Sequence, residues 1–122
     1  MMRQATTMFL ILCSLSLGAW ADTAAEIDHL LGFIASSPCR FVRNGEAYDA
    51  AAARAHIERK YDYAKRWIQT AEQFIEYTAT KSSTTGQAYR VICPGGEEPS
   101  ADWLMRELVR FRAGSGDGNR KR

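Results

Sequence analysis

The segment that follows Asp49 limits the possible folds more than any other part of the chain. It opens with four alanines and contains no glycine or proline before Gly86. At 100° per residue, a set of its less polar side chains falls within roughly 40° on either side of Ile57 on a helical wheel. The members of this stripe are Ala53, Ile57, Tyr61, Ala64, Ile68, Ala71 and Ile75. The pattern predicts a helix capped by Asp49, with one buried face, that continues to about Thr80.

The length of this helix conflicts with the size of the chain. A straight helix over residues 50–80 would be roughly 46 Å long at 1.5 Å per residue. The radius of gyration of a compact domain of this size is only about 13 Å. Because 70–73 reads Thr-Ala-Glu-Gln, a capping-box pattern, we expect the helix to kink or restart at Gln69–Thr70.

Two further helices are predicted on either side of this segment. The first begins with a capping-box pattern at 23–26 and ends near Ser36, because the residue before Pro38 avoids helical geometry. The last helix, 101–112, follows Ser100 as its cap. Its candidate core face consists of Trp103, Leu104, Leu108 and Phe111.

Two short strands complete the predicted architecture. Residues 40–43 are followed by an Asn-Gly turn, and residues 87–93 alternate and end at Pro94. We expect the two strands to pair antiparallel. The predicted fold class is therefore α+β and mainly helical, with three or four helices packed on a small antiparallel β-pair.

The ends of the chain have distinct compositions. Residues 1–21 combine an early Arg3, an apolar stretch of roughly ten to twelve residues and the small pair Ala19-x-Ala21, which is typical of a cleavable signal peptide. An uncleaved anchor is the alternative. We predict a single globular domain at 22–113, with no stable membrane insertion after cleavage. Residues 114–122 are predicted to form a disordered basic tail, because they are polar and rich in glycine.

Removal of the signal peptide would leave two cysteines, Cys39 and Cys93. In an oxidising compartment we expect them to form one disulfide, which by the chain-entropy model stabilises the fold by roughly 4 kcal/mol. Two unpaired buried thiols are the alternative. The spacing of the cysteines and histidines does not fit a zinc site, so no metal and no cofactor is predicted.

The charge balance argues against a nucleic-acid partner. The chain has 16 basic and 14 acidic residues, and loss of Arg3 leaves 15 against 14. Residues 114–122 carry a net charge of +2, from three basic residues and one acidic residue. The folded part is therefore near −1 and has no basic excess with which to neutralise phosphates. The run 81–86 lacks the Gly-x-x-x-x-Gly-Lys pattern of a phosphate loop, and no serine nucleophile can be matched to a base. The sequence therefore favours a protein that is not an enzyme.

One candidate site involves the first strand and the long helix. Alternation along the strand points Arg43 inward with Phe41, and an inward arginine needs an acidic partner or an anionic ligand. Glu72, beside the helical stripe, is the partner we expect in a structural ion pair. Lys60 would lie at the edge of the stripe, with its stem on apolar surface.

Several blocks of the sequence carry a family resemblance: 41–45 (Phe-Val-Arg-Asn-Gly), His56 with Lys60, 68–75, and 82–89. With these blocks the chain resembles a family of small secreted proteobacterial proteins of unknown function, typified by the periplasmic protein YfeK. The resemblance implies periplasmic residence and a shared fold, with no activity attached. The blocks also suggest that one set of polar residues converges where the β-pair meets the long helix: Arg43, Asn44, His56, Lys60, Glu72, Ser83 and Tyr89.

The leading hypothesis is a periplasmic, non-catalytic binding or interaction module. Its ligand would be an anionic molecule, a peptide or a cell-wall fragment bound by these residues. A small periplasmic hydrolase is one alternative. A structural or assembly protein acting through its long helix is another, and it would need an exposed apolar patch around Trp67, Trp103 or Phe111.

Overall fold

The computed structural model describes residues 15–120, with side chains described for 22–115. Residues 1–14, which hold most of the predicted signal peptide, lie outside the described residues. The elements are α1 (Leu15–Ser36), β1 (Arg40–Arg43), β2 (Glu46–Tyr48), α2 (Ala50–Ala64), a 3₁₀ turn (Lys65–Trp67), α3 (Ala71–Thr78), β3 (Arg90–Cys93), β4 (Gly96–Pro99) and α4 (Ser100–Arg120). The predicted class, a mainly helical α+β fold, is confirmed.

The long helical segment breaks where its capping pattern predicts. Asp49 caps α2 by accepting a hydrogen bond from the Ala52 N–H at 2.8 Å. After the 3₁₀ turn the backbone becomes extended at Ile68, and Thr70 starts α3 by accepting a bond from the Gln73 N–H at 3.1 Å. The chain therefore changes direction and avoids the long rod that an unbroken helix would form.

The sheet has four antiparallel strands in the order β2-β1-β3-β4. The predicted pair, β1 and β3, lies at its centre, with Phe41 opposite Val91. The sequence predicts only these two strands. This prediction is incomplete, because β2 and β4 form the two edges of the sheet. In the β1–β2 turn, Asn44 and Gly45 have φ values of 51° and 80°. These left-handed conformations are what a two-residue hairpin turn requires.

The core lies between the helices and the sheet. Its largest fully buried side chains come from α1, α3, α4 and β3; they include Leu30, Ile34, Phe74, Ile75, Leu104, Leu108 and Val91. Helix α2 contacts β1, and α4 contacts β3 and β4. The predicted stripe is confirmed at Ala53, Ile57 and Ile68, which are all buried.

A disulfide joins Cys39, just before β1, to Cys93 at the end of β3. The predicted pairing is confirmed. Cys39 is 6% exposed and belongs to the core, so the bridge ties the end of α1 to the central pair of strands.

The first and last helices are longer than the sequence predicts. Helix α1 is continuous through Thr23, its expected start, and α4 extends to Arg120, past its expected end at Arg112. The disordered tail at 114–122 stays a prediction. Among the described residues, no helix is both long and apolar enough to cross a membrane.

Candidate functional site

A polar cleft with a volume of about 430 Å³ opens beside the β1–β2 hairpin. The hairpin, α2 and the loop before β3 each contribute to its wall. Its lining residues, the polar cleft residues, are Arg43, Asn44, Glu46, Tyr48, His56, Lys60, Ser82, Ser83, Thr84 and Tyr89. His56 and Lys60 lie on the same face of α2 because they are four residues apart.

The contacts of His56 define its tautomer. A guanidinium carries no acceptor, so Arg43 donates to Nδ1 of the imidazole. The ring proton then lies on Nε2, which donates to the Tyr89 hydroxyl at 3.1 Å. His56 is therefore a neutral link between the guanidinium and the phenol.

The Tyr89 hydroxyl receives two hydrogen bonds. One comes from His56, and the second comes from the Lys60 ammonium at 3.2 Å. These bonds occupy the two lone pairs of the oxygen. The hydroxyl proton of Tyr89 therefore remains as a donor toward a further partner.

Two cationic groups line the cleft without an ion-pair partner in the described part of the chain. Arg43 lies over the Tyr48 ring, 4.5 Å from its centroid, and Lys60 donates to the Lys81 carbonyl at 3.0 Å and lies 4.9 Å from the Tyr89 ring centroid. Glu46 is the carboxylate of the cleft, and it accepts a bond from the Tyr48 hydroxyl at 2.7 Å.

Burial and positive charge shift the titration of three cleft residues. Burial, reinforced by the charges of Arg43, Lys60 and Arg59, lowers the pKa of His56 to about 4. Burial and then the charge of Arg43 lower the pKa of Lys60, while burial raises the pKa of Tyr89. At neutral pH the imidazole is uncharged and the phenol is protonated.

The loop before β3 is fastened to the hairpin by Asn44. Its amide donates to the Ser82 hydroxyl at 3.2 Å, and its carbonyl accepts from the Thr85 hydroxyl at 2.6 Å. Ser82 also lies 3.1 Å from the Thr84 hydroxyl. These bonds hold the rim of the cleft, and Ser83 is exposed at that rim.

The structure brings together every residue of the predicted cluster except Glu72. The expected Arg43–Glu72 pair is wrong, since Glu72 binds Arg112 of α4 at 2.8 and 2.9 Å. That hydrogen bond lowers the pKa of Glu72. The break before α3 explains the error. The predicted direction of Glu72 assumed a rotation of 100° per residue along a continuous helix, and this rotation does not apply in the 3₁₀ turn and the extended residues.

A small apolar hollow adjoins the polar cleft. Its volume is about 30 Å³, and its less polar lining includes Phe41, Ala52, Ala53 and Ile57. The two spaces share part of their wall: Arg43, Tyr48, His56 and Tyr89. The two spaces therefore lie side by side on either side of these four residues.

Sequence reasoning missed four lining residues: Glu46, Tyr48, Ser82 and Thr84. The Asn-Gly turn was the signal for the first two, because a two-residue hairpin loop sets Arg43 opposite Glu46. Ser82 and Thr84 belong to a loop whose position depends on tertiary contacts, so no local pattern identifies them.

Two other features bear on the alternative functions. Across the described residues, no three His, Cys, Asp or Glu side chains form a group that could hold a metal ion. Of the expected patch residues, Trp103 is buried and Phe111 stacks on His29 at 4.0 Å, whereas Trp67 is 53% exposed. Tyr63 and Tyr77 are also exposed, so the exposed aromatic surface is centred on the break between α2 and α3.

Comparison with known proteins agrees with the sequence resemblance. Residues 21–112 match the family described as a family of unknown function, DUF5329. Over 80 residues the chain is 39% identical to the uncharacterised protein YfeK of Salmonella typhimurium strain LT2; the alignment covers 62% of this chain and 67% of the relative. No solved structure matches the chain.

Proposed function

We propose that this chain, which belongs to the family of unknown function DUF5329, is a non-catalytic binding module. Its polar cleft holds an anionic group. The family description names no activity, so the proposal depends on the chemistry of the cleft. It retains the leading hypothesis from the sequence and assigns the anion to Arg43, Lys60 and Tyr89.

The observation that supports the proposal is the set of unused donors on these three residues. Arg43 gives one N–H to His56 and keeps further donors of its fork. Lys60 uses two of its three N–H groups, and Tyr89 keeps its O–H. At the wall of a partly buried cleft, charged donors bind carboxylates and phosphates more strongly than neutral donors do.

The same contacts favour binding over catalysis. Both ring nitrogens of His56 are engaged, with Arg43 and with Tyr89, so the imidazole is not directed at a serine or threonine hydroxyl. The raised pKa of Tyr89 makes its phenolate less accessible as a nucleophile. A hydrolase would need the opposite arrangement, a base beside an activated hydroxyl.

We place this function in the periplasm. Two features support that location: the signal-like composition of residues 1–21 and the Cys39–Cys93 disulfide, which is typical of oxidising compartments. Mass spectrometry of the protein recovered from a periplasmic extract should give a chain beginning at Asp22. Recovery of the full-length chain from the cytoplasm alone would contradict this location.

Anion binding can be tested by titrating the purified protein with sodium acetate and following backbone amide shifts by NMR. We expect saturable shifts at the cleft residues. Arg43→Gln and Lys60→Met should each weaken binding at least tenfold. The matched controls are Arg40→Gln, on the same strand but outside the cleft lining, and Lys65→Met, which is exposed beyond α2.

Thermal unfolding of each variant shows whether it is folded. Because Arg43 and Lys60 lie on different elements, one informative variant is sufficient if the other unfolds. Unchanged acetate affinity in a folded Arg43→Gln or Lys60→Met variant would overturn the proposal, as would the absence of saturable shifts in the wild-type protein.

An assembly role is the second candidate, favoured by the exposed aromatic surface of Tyr63, Trp67 and Tyr77. The three rings are 81%, 53% and 47% exposed, and large exposed apolar surface marks interaction sites. Light scattering across a concentration series tests self-association. A dimer that Trp67→Ser abolishes supports this role, and a monomer at every concentration contradicts self-assembly.

A further inference from the structure

The cleft and the hollow together restrict the ligand that the site can take. A buried water needs roughly 10–15 Å³ of cavity volume. The hollow, at about 30 Å³, is two to three times that size, so we expect it to favour a methyl or ethyl group over an isobutyl or aromatic side chain. Its wall of Phe41, Ala53 and Ile57 is suited to an aliphatic group.

The charges of the cleft restrict the head group. Arg43 and Lys60 supply two positive charges and Glu46 supplies one negative charge. A phosphate dianion would be repelled by Glu46, whereas a carboxylate has a single charge and matches the planar fork of Arg43 in bidentate geometry. The head group that fits best is therefore a carboxylate.

Glu46 can also accept a hydrogen bond from the ligand. Within the described residues, Oε2 of Glu46 accepts a hydrogen bond from the Tyr48 hydroxyl. Oε1 of Glu46 is therefore available as an acceptor. An N–H group on the ligand, a short distance from the carboxylate of the ligand, could donate to this oxygen. An α-amino acid residue joined through its amide nitrogen has both groups, with its side chain between them.

We propose that the ligand is the carboxyl-terminal residue of a peptide with an alanine-sized side chain, bound by its carboxylate to Arg43 and Lys60, by its amide N–H to Glu46 and by its methyl group in the hollow. This inference rests on the proposed function and adds the ligand class. A volume of about 430 Å³ exceeds what a single alanine fills, which leaves space for the preceding residue of the peptide.

The test compares three synthetic peptides by NMR titration of the purified protein. Acetyl-alanyl-alanine has every required feature. Acetyl-alanyl-leucine overfills the hollow, and the carboxamide of acetyl-alanyl-alanine lacks the charge. We expect the first peptide to bind at least tenfold more tightly than either of the others and more tightly than inorganic phosphate.

A pair of variants tests the hollow from the protein side. Ala52 lines the hollow and Ala51 does not, and both are exposed in the first turn of α2. Ala52→Leu should fill the hollow and weaken acetyl-alanyl-alanine at least tenfold while acetate still binds. Ala51→Leu should leave both affinities unchanged.

The outcomes separate this inference from the proposed function. Equal affinities for the alanine and leucine peptides, or tighter binding of inorganic phosphate than of the peptide, would overturn the ligand class and leave anion binding intact. An unchanged peptide affinity in Ala52→Leu would also overturn it. Failure of both acetate and peptide to bind would remove the proposed function itself.

Discussion

Glu72 of α3 is held by Arg112 of α4, whose guanidinium donates to both of its carboxylate oxygens at 2.8 and 2.9 Å. The same guanidinium donates to both oxygens of Glu26 on α1, at 2.6 and 3.0 Å. Arg112 therefore links α4 to both α1 and α3 through the carboxylates of Glu26 and Glu72. This network lies outside the lining of the polar cleft.

Loss of this network should reduce stability without affecting the cleft. Arg112→Gln is expected to lower the free energy of unfolding by about 0.5–1 kcal/mol, because the groups are partly solvated and such ion pairs are individually weak. Urea denaturation measures the change, with Arg59→Gln, an exposed arginine of α2, as the charge-matched control. Equal losses in the two variants would contradict a specific role for Arg112.

Replacement of Glu72 distinguishes its observed position from the predicted one. Glu72→Gln should leave acetate affinity unchanged, since Glu72 does not line the cleft. A large change in affinity in this variant, measured by the same NMR titration, would place its carboxylate within the functional site.

The low pKa of His56 gives stability a defined pH dependence. The pKa is about 4 in the folded protein and close to 6.5 when unfolded. As pH falls from about 6.5 to 4, the unfolded state takes up a proton that the folded state excludes, so this histidine favours unfolding across that window by at most about 1.4 kcal/mol per pH unit.

Urea denaturation of the wild type and of His56→Gln at a series of pH values between 7 and 4.5 tests this dependence. We expect the free energy of unfolding of the wild type to fall more steeply than that of His56→Gln. Parallel curves would show that the folded state does not exclude the proton. NMR titration of the His56 ring protons gives the folded pKa directly.

The start of α3 should be sensitive to its cap. Thr70→Ala removes the acceptor of the Gln73 N–H and is expected to cost about 1 kcal/mol of stability. Thr70→Ser keeps the hydroxyl and should remain within a few tenths of a kcal/mol of the wild type. Equal stability of the alanine and serine variants would show that the side-chain cap at residue 70 does not stabilise this helix.

Reduction of the disulfide should strongly destabilise the fold. The bridge spans a sequence separation of 54 residues, for which the chain-entropy model gives about 4 kcal/mol. Urea denaturation with and without dithiothreitol measures the loss, and a Cys39→Ala/Cys93→Ala double variant should not respond to the reductant. Two alkylatable thiols at Cys39 and Cys93 in the native protein would contradict the bridge.

Local signals in the sequence located most of the fold. Asp49 and Thr70 were identified as caps because their acceptors and the residues that follow are adjacent in the chain. The core of α4 also followed from spacing, and Leu104 and Leu108 are fully buried. In each case the stabilising contact lies within a few residues of the pattern that predicts it.

The edge strands and one site residue needed information from distant parts of the chain. Glu46–Tyr48 and Gly96–Pro99 are short and have no apolar alternation, so their strand geometry depends on pairing with β1 and β3. The position of Glu72 depends on the direction of α3 after the break. Its partner, Arg112, is 40 residues away in the sequence. His56 and Lys60, by contrast, are one helical turn apart on α2, so their proximity follows from local spacing, and both line the polar cleft.

Each of the proposed anion-binding donors lies between the two bridged cysteines. Arg43, Lys60 and Tyr89 all fall within the covalent ring that the Cys39–Cys93 bond closes. A protease that cuts one peptide bond anywhere between the cysteines therefore cannot release a fragment, and both pieces stay attached through sulfur. A nicked molecule would keep its unreduced mass apart from one added water, and it would separate into two chains only after reduction.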